Sequence, residues 1–125
     1  MTHRHLPRAC VITIAGEVDS TTSGRLESYI DQARRSLDEQ LVIDAARLAF
    51  LDSSGLAVLL AAAALARAAG ADVHLTGPQP RVARILEITG TTRAMSLYDH
   101  VEQALAAIDC LHMATAAPAQ ERPVR

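Results

Sequence analysis

Asp52-Ser53-Ser54-Gly55-Leu56 is the stretch of this chain whose side-chain types and spacing offer chemistry. Two hydroxyls follow a carboxylate directly, between an apolar segment that ends at Leu51 and an apolar run that starts at Leu56. Asp and Ser are ordinary helix N-caps and Gly relieves crowding in a first turn, so the pentapeptide also fits a plain strand-to-helix connection. Its chemical reading is more specific. A serine hydroxyl at a helix N-terminus is accessible, and a phosphoryl group placed on it would meet free backbone N–H groups and the positive end of the helix dipole. The fold would tolerate such a phosphate while the surface around it changed.

Other constellations fail on residue type. With no lysine in 125 residues, a Schiff base and a Walker-type ATP site are both excluded. Ser54 follows Asp52 where a nucleophile elbow requires glycine, and no histidine stands where a partner base would, so no catalytic residue is assigned. His3 and His5 read as part of a mobile terminus able to chelate a metal only weakly, and His74, His100 and His112 share no ligand spacing. Neither a metal nor a cofactor is assigned. All twelve basic residues are arginines, scattered from Arg4 to Arg125 in a chain of formal net charge −2, and the aromatics are Tyr29, Phe50 and Tyr98 alone. Such a chain lacks both a phosphate-tracking stripe and a base-stacking platform, so no nucleic-acid partner is expected.

The apolar run Leu56 to Ala66 is about half the roughly 20 residues that span a bilayer. The polar segment Met1 to Arg8 has no signal-peptide hydrophobic region, so a cytoplasmic protein with no membrane partner is expected. Cys10 and Cys110 are read as buried, reduced thiols without a redox role.

The elements that must position the serine turn follow from hydrophobic periodicity. A chain of this length, half hydrophobic, supports one core and one domain. Val11 to Ala15 is a β-branched run closed by Gly16. Leu26, Tyr29/Ile30, Ala33 and Leu37 recur at helical spacing and predict an amphipathic helix of about four turns. Leu41 to Ala45 reads as a strand buried on both faces, followed by Leu48 to Leu51 and the serine turn. A helix over Ser54 to Ala69 is apolar on nearly every side and is expected to be central. Asp72 to Thr76 predicts a strand, and Pro80 to Ile88 a helix with Val82, Ile85, Leu86 and Ile88 inward. A weak strand follows over Ala94 to Leu97, and then a last helix starts at an Asp99/Glu102 capping box. Strands alternating with helices give an α/β domain with a mixed, mostly parallel sheet of four to five strands and about four helices. The tail from Ala114 to Arg125 is expected to be disordered.

Taken in order, Gly16-Glu17-Val18-Asp19, a helix, Leu41-Val42-Ile43-Asp44, Asp52-Ser53-Ser54-Gly55-Leu56 and a late unit with Thr89-Gly90 resemble the STAS family, in particular its bacterial anti-sigma factor antagonists. The likeness covers about residues 10 to 110. It implies a STAS domain over 10–112, an N-terminal segment 1–9 and a tail 113–125. It also implies a non-enzymatic switch that binds an anti-sigma factor serine kinase and so releases a sigma factor. Phosphorylation of the motif's second serine, here Ser54, would end that binding, and a serine phosphatase would restore it. The resemblance places Asp19, Asp52, Ser53, Gly55 and Leu56 at the partner-binding surface. Asp19 also fits a cap on the first helix, Asp52 an ordering role in the turn, and Ser53 a cap rather than a second phosphosite. Gly55 fits either the turn itself or close approach of a partner backbone.

Two departures stand out. The family has an additional first strand, and Met1 to Arg8, with Pro7, predicts one that is short or lost. Thr89-Gly90-Thr91-Thr92 lacks the hydrophobic residue that commonly follows this glycine. A competing reading is a stand-alone STAS module for ligand binding or transport assembly, against which the intact serine pair argues. A scaffold subunit of a larger stress-signalling assembly would need a sensory domain for which these residues leave no room.

Overall fold

The computed structural model describes residues 1–110. The expected tail over 114–125 and the domain limit at 112 lie outside them. The chain runs β1 (Thr2–His5), β2 (Ala9–Val18), α1 (Ser23–Ala33), β3 (Gln40–Leu51), α2 (Ser53–Ala68), β4 (Val73–Thr76), α3 (Pro80–Ile88), a 3₁₀ turn (Thr91–Arg93), β5 (Ser96–Tyr98) and α4 (101–110).

The five strands lie side by side in chain order. β1 is antiparallel to β2, and β2 to β5 are parallel. Because the strand order advances in one direction, right-handed crossovers bring α1, α2 and α3 to the same face. There Cys10, Ile12 and Ile14, alternate residues of β2, meet Leu26, Ile30, Leu59, Val82 and Leu86 in the main core. The intervening Ala9 and Val11 face the other way and pack with Val42 under Ala104 and Ile108 of α4. This two-sided burial explains why β3 reads as a continuous apolar run.

Several expectations need correction. The first strand is short rather than lost, as one of the two expected alternatives had it, but His3 and His5 belong to a paired edge strand rather than a mobile terminus. Its four residues are all exposed, which suits an edge strand and hides it from any hydrophobic pattern. Pro7 sits in the turn, which the Leu6 N–H closes by donating to the Ala9 carbonyl at 2.8 Å. α1 stops at Ala33, a turn early, with Arg34 extended and Leu37 49% exposed. There the Glu39 carboxylate accepts from the Arg35 N–H at 2.9 Å, giving the backbone an alternative to helix. β3 runs on past the expected end at Ala45, from Gln40 to Leu51.

α2 buries Leu56, Leu59, Ala62, Ala63 and Ala66, but Ala57, Ala61, Ala64 and Leu65 face outward, so it is not enclosed. Ile88 is 72% exposed at the end of α3 instead of inward. The α4 cap is shifted by one residue. Gln103, not Glu102, accepts from the Asp99 and His100 N–H groups at 2.9 and 3.1 Å. Both thiols are free, with Cys10 buried but Cys110 exposed, because α4 packs on the opposite face and turns its end residue outward.

Candidate functional site

The serine turn forms where β2 and β3 end together. Val18 and Leu51 are register partners, and the Asp52 N–H donates to the Val18 carbonyl at 3.1 Å. Asp19 and Asp52 therefore emerge next to each other at one rim of the sheet, each starting a connection to a helix.

Asp52 is the N-cap of α2. Its Oδ1 accepts from the N–H groups of Ser54 and Gly55 at 3.0 and 3.1 Å and from the Ser54 hydroxyl at 2.6 Å. These bonds stabilise the charged form and hold the Asp52 carboxyl below the usual carboxylate range, the Ser54 hydroxyl contributing most. The nearby Asp19 charge acts in the opposite sense. Ser53, at the first helical position, is exposed and is not the cap, contrary to expectation; Ser54, behind it, is half-buried.

Asp19 does not cap α1 either, since Thr22 holds that position. Its Oδ1 accepts from the Thr21 N–H and hydroxyl at 2.9 and 2.6 Å and from the Thr22 hydroxyl at 3.2 Å. Thr21 also leads the causes that depress the Asp19 carboxyl. Thr21 and Thr22 thus fix the carboxylate at the rim, a role the sequence reading missed. The Asp-x-Thr-Thr spacing, which favours a local side-chain turn, carried that signal.

Gly55 answers a packing demand inside the domain. A Cβ built there would lie 2.6 Å from Leu51 Cδ1 and 2.7 Å from Val18 Cγ1, both buried. Leu56 turns inward at the next position and is buried, so its contribution to any surface is indirect. Among the six residues singled out from sequence, Asp19, Asp52, Ser53 and Ser54 share the accessible rim, while Gly55 and Leu56 anchor it from beneath.

The turn can present one oriented hydroxyl. With its carboxyl held acidic, Asp52 positions the Ser54 proton but is a weak base for removing it. The expectation of free N–H groups beside Ser54 is also corrected. Asp52 already occupies those of Ser54 and Gly55, so an added phosphate must displace that carboxylate to reach them.

The family model described as STAS domain matches residues 1–104, most of the chain. The chain belongs to the STAS family. Its STAS domain is 31% identical over 100 residues to an anti-sigma F factor antagonist of Paenibacillus polymyxa, covering 79% of this chain and 86% of that protein. It superimposes on the crystal structure of an anti-sigma factor antagonist from Mycobacterium paratuberculosis with a TM-score of 0.73 at 28% identity, covering 86% and 92% of the two chains. Against the anti-sigma factor antagonist SpoIIAA in its unphosphorylated form the TM-score is 0.72 at 22% identity, with 86% and 95% covered. At that identity the match speaks for the STAS fold alone. Among the described residues no helix is long and apolar enough to cross a membrane.

Proposed function

We propose that this STAS domain is a cytoplasmic, non-enzymatic anti-sigma factor antagonist whose Ser54 is the phosphoacceptor. In its unphosphorylated form it binds an anti-sigma factor serine kinase and frees a sigma factor; a serine phosphatase reverses the modification. The observation that carries this reading is the Ser54 hydroxyl held 2.6 Å from Asp52 Oδ1 on the rim that also carries Asp19. The likeness to an anti-sigma F factor antagonist supplies the partner class.

Phosphoryl transfer from ATP would break the Ser54 O–H bond that points at Asp52, form the O–P bond, and release ADP and the proton to solvent. In its place come about −1.5 to −2 charges beside two carboxylates. The helix N-terminus favours an anion by about 0.3–1 kcal/mol, a gain the phosphate must share with the Asp52 carboxylate already seated there, and a partner surface shaped for a neutral hydroxyl meets several kcal/mol of like-charge and steric cost. The switch therefore works at the surface and leaves the core intact.

The test is a binding titration against candidate anti-sigma kinases from the same genome. Wild type should bind one of them, and Ser54→Asp should lose on the order of 100-fold in affinity while keeping a Tm near wild type. Unchanged affinity would overturn the switch. A largely unfolded Ser54→Asp protein would replace it with a folding effect.

A further inference from the structure

At the other end of β2, away from the Ser54 rim, β1 carries a second cluster. His3 and His5 are two residues apart on a strand, so their rings leave the same face, the one that meets Tyr29 and Ala33 of α1. The ring centroids are 5.0 Å apart with planes at 69°. Pairing of His3 with Ile12 and His5 with Cys10 fixes both backbones before any ligand arrives.

One nitrogen of each ring is already held. His5 Nε2 lies 2.7 Å from the Ala33 carbonyl oxygen, which can only accept, so the neutral ring carries its proton there and its lone pair on Nδ1. His3 Nδ1 lies 2.7 Å from the Tyr29 hydroxyl, which can either donate or accept; a metal on Nε2 requires the tautomer in which Nδ1–H donates to the tyrosine oxygen and leaves the lone pair on Nε2. Metal-ligating histidines characteristically have one ring N–H tied to a carbonyl or similar acceptor, which fixes the tautomer and aims the other nitrogen. Two imidazoles bound to one Zn²⁺ at about 2.0–2.1 Å, near the tetrahedral angle, have centroids about 5 Å apart. The observed spacing matches that value.

We propose that His3 and His5 form a site for one borderline divalent metal cation, bound through His3 Nε2 and His5 Nδ1. Among the described residues no group of three or more His, Cys, Asp and Glu gathers to hold a metal, so water completes the coordination. The cation would fasten the exposed edge strand in the conformation in which it already lies against α1.

The probe is Zn²⁺, which does not displace backbone amide protons, titrated calorimetrically into a chain with an untagged N-terminus. A Cys110→Ser background removes the exposed thiol as a competitor. One Zn²⁺ should bind per chain, and each of His3→Ala and His5→Ala should weaken it at least tenfold. Tyr29→Phe, which leaves both ligands but frees the His3 ring, should cost roughly tenfold or more. His5→Gln keeps a donor for the Ala33 carbonyl and should match His5→Ala, with metal-free circular dichroism spectra unchanged. Imidazole nitrogen NMR should show His3 Nε2 and His5 Nδ1 shifting together on titration. No binding by the parent chain, or undiminished binding by the double alanine variant, would overturn the site. So would a loss confined to His3→Ala, which would assign the metal to the terminal amine and His3.

Discussion

Ser54 gives both its hydroxyl proton and its backbone N–H to a single oxygen, Asp52 Oδ1, at 2.6 and 3.0 Å. The residue that starts α2 therefore also sets the rotamer of the candidate phosphoacceptor. The two roles can be separated. Asp52→Asn retains an acceptor oxygen for the Ser54 and Gly55 N–H groups, whereas Asp52→Ala retains none. Thermal unfolding should rank the stabilities wild type, Asp52→Asn, Asp52→Ala, with the alanine variant lowest.

Acid should erase this advantage. Both Asp19 and Asp52 have folded-state carboxyls below their usual range, Asp19 chiefly through Thr21 and Asp52 chiefly through Ser54. A depressed carboxyl contributes stability above its unfolded value, and that contribution is lost as pH falls through the folded value, here below about pH 4. Tm recorded from neutral to acid pH should fall more steeply there for wild type than for Asp19→Asn/Asp52→Asn. Parallel curves would mean that neither carboxylate is coupled to folding.

The two helical glycines should respond with opposite signs. Gly55→Ala drives a methyl into Val18 and Leu51 and should cost about 1–3 kcal/mol by chemical denaturation. Gly24, in α1, has open space where its Cβ would go, so Gly24→Ala should stabilise by about 0.4–1 kcal/mol.

His74 gives the fold a second pH dependence, nearer neutrality. It is buried, its Nε2 donates to Gln40 Oε1 at 2.8 Å, and its Nδ1 has no partner. Desolvation lowers its pKa, outweighing the nearby Asp72. The unfolded chain therefore binds the proton more readily, and stability must fall as pH drops below about 6.5 toward the folded value, with a slope of up to about 1.4 kcal/mol per pH unit. His74→Gln should flatten that slope while leaving the behaviour below pH 4 in place.

What could be read ahead from sequence follows the strength of the periodic signal. β2, β3 and β4 carry dense β-branched or apolar runs, and the right-handed crossover rule then left little choice for the helices between them. β1 was obscure because an exposed, polar edge strand has no buried face to announce it. α1 ended early because Arg35 and Glu39 form local bonds that no hydrophobic spacing records. At the site, Asp52 and Ser54 were recognisable from type and order. Gly55 was legible as relief of crowding, but that it makes room for Val18 and Leu51, and that Thr21 and Thr22 hold Asp19, was not, since one depends on Val18 arriving from another strand and the other on the geometry of a side-chain turn.

The most direct test of the account is to locate the phosphate. The chain would be incubated with ATP and each candidate anti-sigma kinase of its genome, then digested and mapped by mass spectrometry. Ser54 should carry the label, Ser54→Ala should carry none, and Ser53→Ala should keep most of it. Phosphate on Ser53, with Ser54→Ala still labelled, would contradict the claim that the hydroxyl oriented by Asp52 is the acceptor.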